Sequence, residues 1–175
     1  MTERWKPSVT VAAIASRRRD GAVDAPLEYL LVEEETPEGL RLNNPAGHLD
    51  PGESPAEAVA REALEETARA FVPERLVGIY LARFARPATG EDVTYLRFAF
   101  AGSVGAQDLA RPLDDGIVGT LWMTLAELRA SRPRHRSSLV LRCIEDAAAG
   151  FAVPLERIVS DASLYAPEIK GGTAP

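Results

Sequence analysis

Glu62, Glu65 and Glu66 are the residues of this chain whose type and spacing best suit chemistry. In a helix, positions i, i+3 and i+4 share a face, so three carboxylates become neighbours and repel one another by about 0.2 to 0.5 kcal/mol a pair. A hard divalent ion such as magnesium or manganese takes carboxylate and carbonyl oxygens and would turn that repulsion into coordination. A merely solvated acidic face is the ordinary alternative, since glutamates are good helix formers. Two neighbours favour the chemical reading. Arg61 lies four residues from both Glu57 and Glu65 and can brace a glutamate rotamer, and the loop Gly47-His48-Leu49-Asp50-Pro51-Gly52-Glu53 runs directly into the segment.

These residues need a helix, and the sequence marks where it starts. Ser54 at N-cap, Pro55 at N1 and Glu57 at N3 form a capping box with the favoured first residue. The helix is expected from Pro55 to about Ala70, with Ala56, Val59, Ala60, Ala63 and Leu64 facing the core and the glutamates opposite. Around it, β-rich runs predict strands at 8–14, 29–34, 76–84, 93–101 and 119–123, with a short segment at 40–43 entering the loop 44–47. A loop holding Pro87 and Gly90 joins the strands at 76–84 and 93–101. In the latter, Leu96, Phe98 and Phe100 alternate with Tyr95, Arg97 and Ala99, so one face is apolar and the other presents a cation. Thr124 with Glu127 caps a second helix at 125–130, and a third at 138–149 ends before Gly150 with Cys143 on its apolar side.

Composition bounds the rest. With 175 residues, 46% hydrophobic and 26% charged, the chain reads as one domain over residues 1–165 and a flexible tail at 166–175. A net charge of -6 disfavours a nucleic-acid polymer as partner. The first ten residues hold no apolar signal region, and no stretch approaches 18 apolar residues, so neither export nor a membrane span is expected. A single cysteine forms no internal bridge, which fits a reducing cytoplasm, and the chain is expected as a monomer or homodimer.

Gly47, Glu53, Arg61, Glu62, Glu65 and Glu66 stand at the spacing G-x5-E-x7-R-E-U-x-E-E, which resembles the Nudix box of the Nudix hydrolases. Two positions depart from the box: its closing glycine is Ala68, and the apolar residue after it is Arg69. The helix is expected simply to run a turn further there. Similarity extends to Lys6-Pro7, Val9-Thr10-Val11-Ala12, Leu31-Val32-Glu33-Glu34, Asn43 with Pro45-Ala46-Gly47-His48-Leu49, Leu96-Arg97-Phe98 and Arg136-Ser137 with Leu139-Val140. These resemble the NudJ-like branch, which hydrolyses nucleoside di- and triphosphates and thiamine-type pyrophosphates.

The resemblance implies an α/β fold, the Nudix-type α/β/α sandwich with a mixed β-sheet, and a metal-dependent pyrophosphohydrolase working with magnesium or manganese on a small phosphorylated molecule. It assigns metal binding to Glu62, Glu65, Glu66 and the Gly47 carbonyl, catalysis to Glu62, Glu65 and Arg61, and the framework of the box to Gly47, Glu53 and Arg61. Which glutamate is the base stays open. Arg97, Arg136 and His48 are the candidates for substrate phosphates, with Arg41 behind them, and Asp114 or Asp115 is the candidate later-loop carboxylate. Tyr95, Phe84 and Trp122 read as core aromatics. Other readings are a Nudix hydrolase acting on a nucleotide sugar, a non-catalytic nucleotide-binding module, and an isomerase needing a cysteine at the site, for which Cys143 is poorly placed.

Overall fold

The computed structural model describes residues 5–85 and 90–165. In chain order it contains β1 (Ser8–Arg18), β2 (Leu27–Thr36), β3 (Gly39–Asn43), β4 (Ala46–His48), α1 (Pro55–Thr67), β5 (Phe71–Ala85), β6 (Asp92–Val104), β7 (Ile117–Thr124), α2 (Leu125–Ala130), α3 (Leu139–Ala148) and β8 (Val153–Pro154). The strands form a mixed sheet of order β3-β2-β1-β6-β5-β8, with β4 paired to β1 and β7 to β2.

The first strand is central because both of its faces are apolar. Val11 and Ala13 face one core with Leu30, Leu76 and Phe100, covered by Ala58, Val59 and Ala63 of α1. Ala12 and Ile14 face the other with Leu31, Ala99 and Ala101, covered by Leu128 of α2 and by Val140, Cys143 and Ile144 of α3. The result is a three-layer α/β/α sandwich.

Along its length β1 changes partners. Residues 8–15 pair in parallel with β6, from Ser8 opposite Tyr95 to Ala15 opposite Gly102, while residues 16–18 pair antiparallel with β2. Before Ser16 the wing made of β2, β3 and β7 splays away from β1, and β4 takes the freed edge, with Thr10, Val11 and Ala12 opposite His48, Gly47 and Ala46. The splay is the cleft in which the charged residues gather.

Both capping boxes form: Ser54 with Glu57 opens α1, and Thr124 with Glu127 opens α2. The end of α1 differs from expectation. The helix stops at Thr67, and Ala68 turns left-handed at φ 53°, its N–H donating to the Leu64 carbonyl at 3.0 Å. The chain must leave for β5 at that point, so the missing glycine is met by a strained alanine and not by a further turn. The helix is also rotated from the expected wheel. Its buried residues are Ala58, Val59, Glu62, Ala63, Glu66 and Thr67, whereas Ala56, Ala60 and Leu64 are half-exposed. Two glutamates point inward because β4 passes beneath them with small residues. The expected tail lies outside the described residues, and among those described no helix is long and apolar enough to cross a membrane.

Candidate active site

The loop from β4 into α1 is tied by Arg61. Its Nε and Nη2 donate to Glu53 at 3.0 and 2.7 Å, Nη2 donates to the His48 carbonyl at 3.0 Å, and Nη1 donates to Glu62 at 2.8 Å and Glu65 at 3.1 Å. This set, led by Glu53, raises the guanidinium above its ordinary range and lowers the Glu53 carboxyl. Glu57, also expected to meet Arg61, is taken up instead by the cap at Ser54.

Beneath the helix, Glu62 and Glu66 are only 9% and 8% exposed. The Glu62 carboxylate rests on Gly47: a Cβ there would lie 2.1 Å from it, so any larger residue at position 47 would displace the carboxylate. Glu66 accepts from the Ala46 N–H at 2.8 Å. Burial pushes its carboxyl up to about 8, against that hydrogen bond, and the charges of Glu62, Glu34 and Asp114 push the same way. Burial also raises Glu62, opposed by Arg61. Glu65 is more open, with 37% of its side chain exposed.

Among the described residues no three carboxylate, imidazole or thiol groups converge as a finished metal cage. Arg61 occupies Glu62 and Glu65 instead. The donors nevertheless suit a hard divalent ion: all are oxygens, and among the described residues the buried Glu66 carboxylate is in no direct ion pair.

Arg97 on β6 faces this group across the cleft. It stands opposite Thr10 of β1 and Tyr80 of β5. Its buried Nε and Nη1 have no hydrogen-bond partner among the described residues, and burial lowers its pKa, opposed by Cys143 and by the charges of Glu34 and Glu66. Of Glu33 and Glu34, the carboxylates that a structural ion pair would require, Glu33 pairs with Arg134, while Glu34 has Arg136 Nε 3.4 Å away and also feels the charge of Arg97. Arg136 also lies 3.8 Å from Glu38, and its N–H donates to the Leu42 carbonyl. The Arg134 and Arg136 side chains thus pair with β2 while staying exposed to solvent.

His48 is exposed on β4, and Arg41 donates to the neighbouring Leu40 carbonyl. The Asp114 N–H donates to the Glu65 carbonyl at 3.0 Å, which brings that loop to the C-terminal end of α1, and its charge is felt by Glu62 and Glu66. Asp115 donates its N–H to the Asp114 carboxylate. Cys143 is fully buried, and burial pushes its thiol up to about 12.

Sequence reasoning missed Glu34, Asn43 and Thr10, all polar, all in the cleft, each with a buried side-chain oxygen lacking a hydrogen-bond partner. A charged residue ending the apolar run of β2 was the available signal for Glu34. Tyr95 and Phe84 are not core residues: Tyr95 is half-buried and Phe84 is exposed. Trp122 is part-buried, with the Arg17 guanidinium 4.2 Å from its ring.

The family model described as NUDIX domain matches residues 6–141. Proteins named Phosphatase NudJ from Escherichia coli (strain K12) and Shigella sonnei (strain Ss046) are 34% identical over 155 residues, 88% of this chain and 92% of theirs. A solved NUDIX hydrolase from Nitrosomonas europaea is 46% identical with a TM-score of 0.76, covering 89% of this chain and 98% of that one. The NUDIX domain of Shewanella oneidensis NrtR, solved with ADP ribose, is similar in fold at 19% identity and a TM-score of 0.62, over 84% of this chain and 90% of that one.

Proposed function

The chain belongs to the Nudix hydrolases and is a pyrophosphohydrolase, and we propose that it uses magnesium or manganese to cleave the pyrophosphate linkage of a nucleoside di- or triphosphate or a thiamine-type pyrophosphate. The observation that carries the metal is Glu66: a carboxylate 8% exposed, held by one N–H, with Glu62, Glu34 and Asp114 as its charged neighbours.

Glu62, Glu65, Glu66 and the Gly47 carbonyl would hold the cation. When bound, it neutralises phosphate charge and lowers the pKa of water. The protein's own part is positional. Arg61, anchored on Glu53 and the His48 carbonyl, orients Glu62 and Glu65, and the more open Glu65 can accept a proton from an attacking water. Arg97 offers the unpaired Nε and Nη1 donors to a substrate phosphate, whose charge offsets the burial of the guanidinium. Arg136 and His48 line the approach. The lone buried Cys143 supports a reducing, cytoplasmic setting.

Phosphate or pyrophosphate release across nucleoside triphosphates, nucleotide sugars and thiamine diphosphate, with and without magnesium, tests this reading. Turnover of a nucleoside or thiamine compound that stops with excess chelator is the expected result. Turnover that survives the chelator, or that is confined to nucleotide sugars, overturns it.

A further inference from the structure

Leu30, Val32 and Glu34 alternate on one face of β2, so a carboxylate continues the row that Leu30 and Val32 fill with buried apolar side chains. Its charge is felt at both ends of the cleft, by Glu66 on α1 and by Arg97 on β6. The Glu34 side chain is 18% exposed, and its Oε1 is buried without a hydrogen-bond partner among the described residues. Burial raises the carboxyl, opposed by the charges of Arg136 and Arg97. A carboxylate in this place costs desolvation that an apolar residue of similar size would avoid.

The guanidiniums near Glu34 are unequally free. Arg136 Nε lies 3.4 Å from Glu34 Oε1 and its Nη1 lies 3.8 Å from Glu38, so this cation is shared by two carboxylates on and beside β2. Arg134 pairs with Glu33, and Arg41, opposite Glu34 on β3, donates to the Leu40 carbonyl. Arg97 keeps Nε and Nη1 without partners among the described residues. An anion held by Arg97 therefore enters the field of Glu34. Charge added to that anion raises the repulsion, which the low dielectric of a cleft screens poorly.

We propose that Glu34 is a specificity-determining residue that selects against the additional phosphate of a triphosphate. It does so by repelling that phosphate and by engaging Arg136, the next guanidinium the phosphate could use. Discrimination by an unfavourable contact is as effective as discrimination by a favourable one, and it gives the desolvation of Glu34 a function. The inference rests on the hydrolase reading and narrows it, since the two phosphates of a diphosphate can be met by the acidic end and Arg97 without a third lying against Glu34.

Kinetics and calorimetric binding of ADP and ATP at one free magnesium concentration test it. Glu34→Gln keeps the shape and removes the charge, and it should lower KM for ATP about tenfold more than KM for ADP, the lower end for a hydrogen bond to a charged group. The effect should fall on KM rather than on kcat. Glu34→Asp, which keeps the charge, should retain the wild-type discrimination, and adding Arg136→Gln to Glu34→Gln should remove part of the gain. An equal change in KM for the two compounds, or none, overturns the selection. So does a loss of kcat with both, which would assign Glu34 to the reacting atoms, or a lower thermal midpoint with unchanged kinetics, which would assign it to the scaffold. Turnover of neither compound counts against the hydrolase, and the ratio of the two dissociation constants in wild type and Glu34→Gln then decides the selection by itself.

Discussion

The Tyr165 hydroxyl donates to Glu57 Oε2 at 2.8 Å, and the same oxygen accepts from the N–H and hydroxyl of Ser54. A residue near the C-terminus thus supports the cap of the helix that bears the acidic cluster. Ser54→Ala removes a cap worth about 0.5 to 2 kcal/mol and touches no substrate group. It should lower the thermal midpoint with kcat unchanged, and Tyr165→Phe should lower it less. Equal midpoints for wild type and Ser54→Ala would contradict the cap.

Ala68 sits at φ 53°, where a Cβ costs about 1 to 2 kcal/mol. Ala68→Gly should therefore stabilise the protein by about 1 kcal/mol, net of the entropy glycine gains on unfolding. Urea unfolding at fixed slope reads this, and a destabilised variant would show that the site prefers its methyl group.

The carboxylates of α1 should separate stability from turnover. Glu65→Gln and Glu66→Gln keep shape while removing charge, so each should reduce kcat by more than tenfold with little loss of thermal midpoint. The wild-type midpoint should rise with magnesium, and Glu66→Gln should blunt that rise.

Arg97→Ala should weaken substrate binding by about 1.5 to 3 kcal/mol, the range for hydrogen bonds to charged groups. Arg97→Lys should recover part of it, since an ammonium keeps the charge and loses the fork. A destabilised Arg97→Ala protein with a normal KM would assign the residue to the scaffold.

Glu28 is 2% exposed and held by Arg19 and Arg17, and Arg19 foremost draws its carboxyl below the ordinary value of 4.5, against desolvation. A depressed folded-state pKa adds stability above the unfolded value, and that stability is lost as pH falls through the folded one. Glu28→Gln should be less stable than wild type at pH 7, and the gap should narrow below pH 4.5. A gap independent of pH would assign the effect to packing.

Much of this was legible because local chemistry decides it. The capping boxes at Ser54 and Thr124 needed only four consecutive residues each, and the alternation through Tyr95, Arg97 and Ala99 set one face of β6. What was illegible depends on residues far apart in the chain. Apolarity alone put Ala56 and Leu64 inward, but the small Gly47 and Ala46 under α1 admit Glu62 and Glu66 instead. The tie between Asp114 and Glu65 likewise joins residues some fifty positions apart, which no local pattern announces.

The place of β1 in the sheet also shapes how the chain is made. Its longest pairing is with β6, whose Phe98 stands opposite Val11, and parallel neighbours so far apart in the chain are slow to find each other. During synthesis β1 emerges well before β6, its edge partner, and before α2 and α3, which cover one of its apolar faces. Nascent chains halted before Leu139 should then be the ones that chaperones and proteases recognise, with protection arriving once α3 is available.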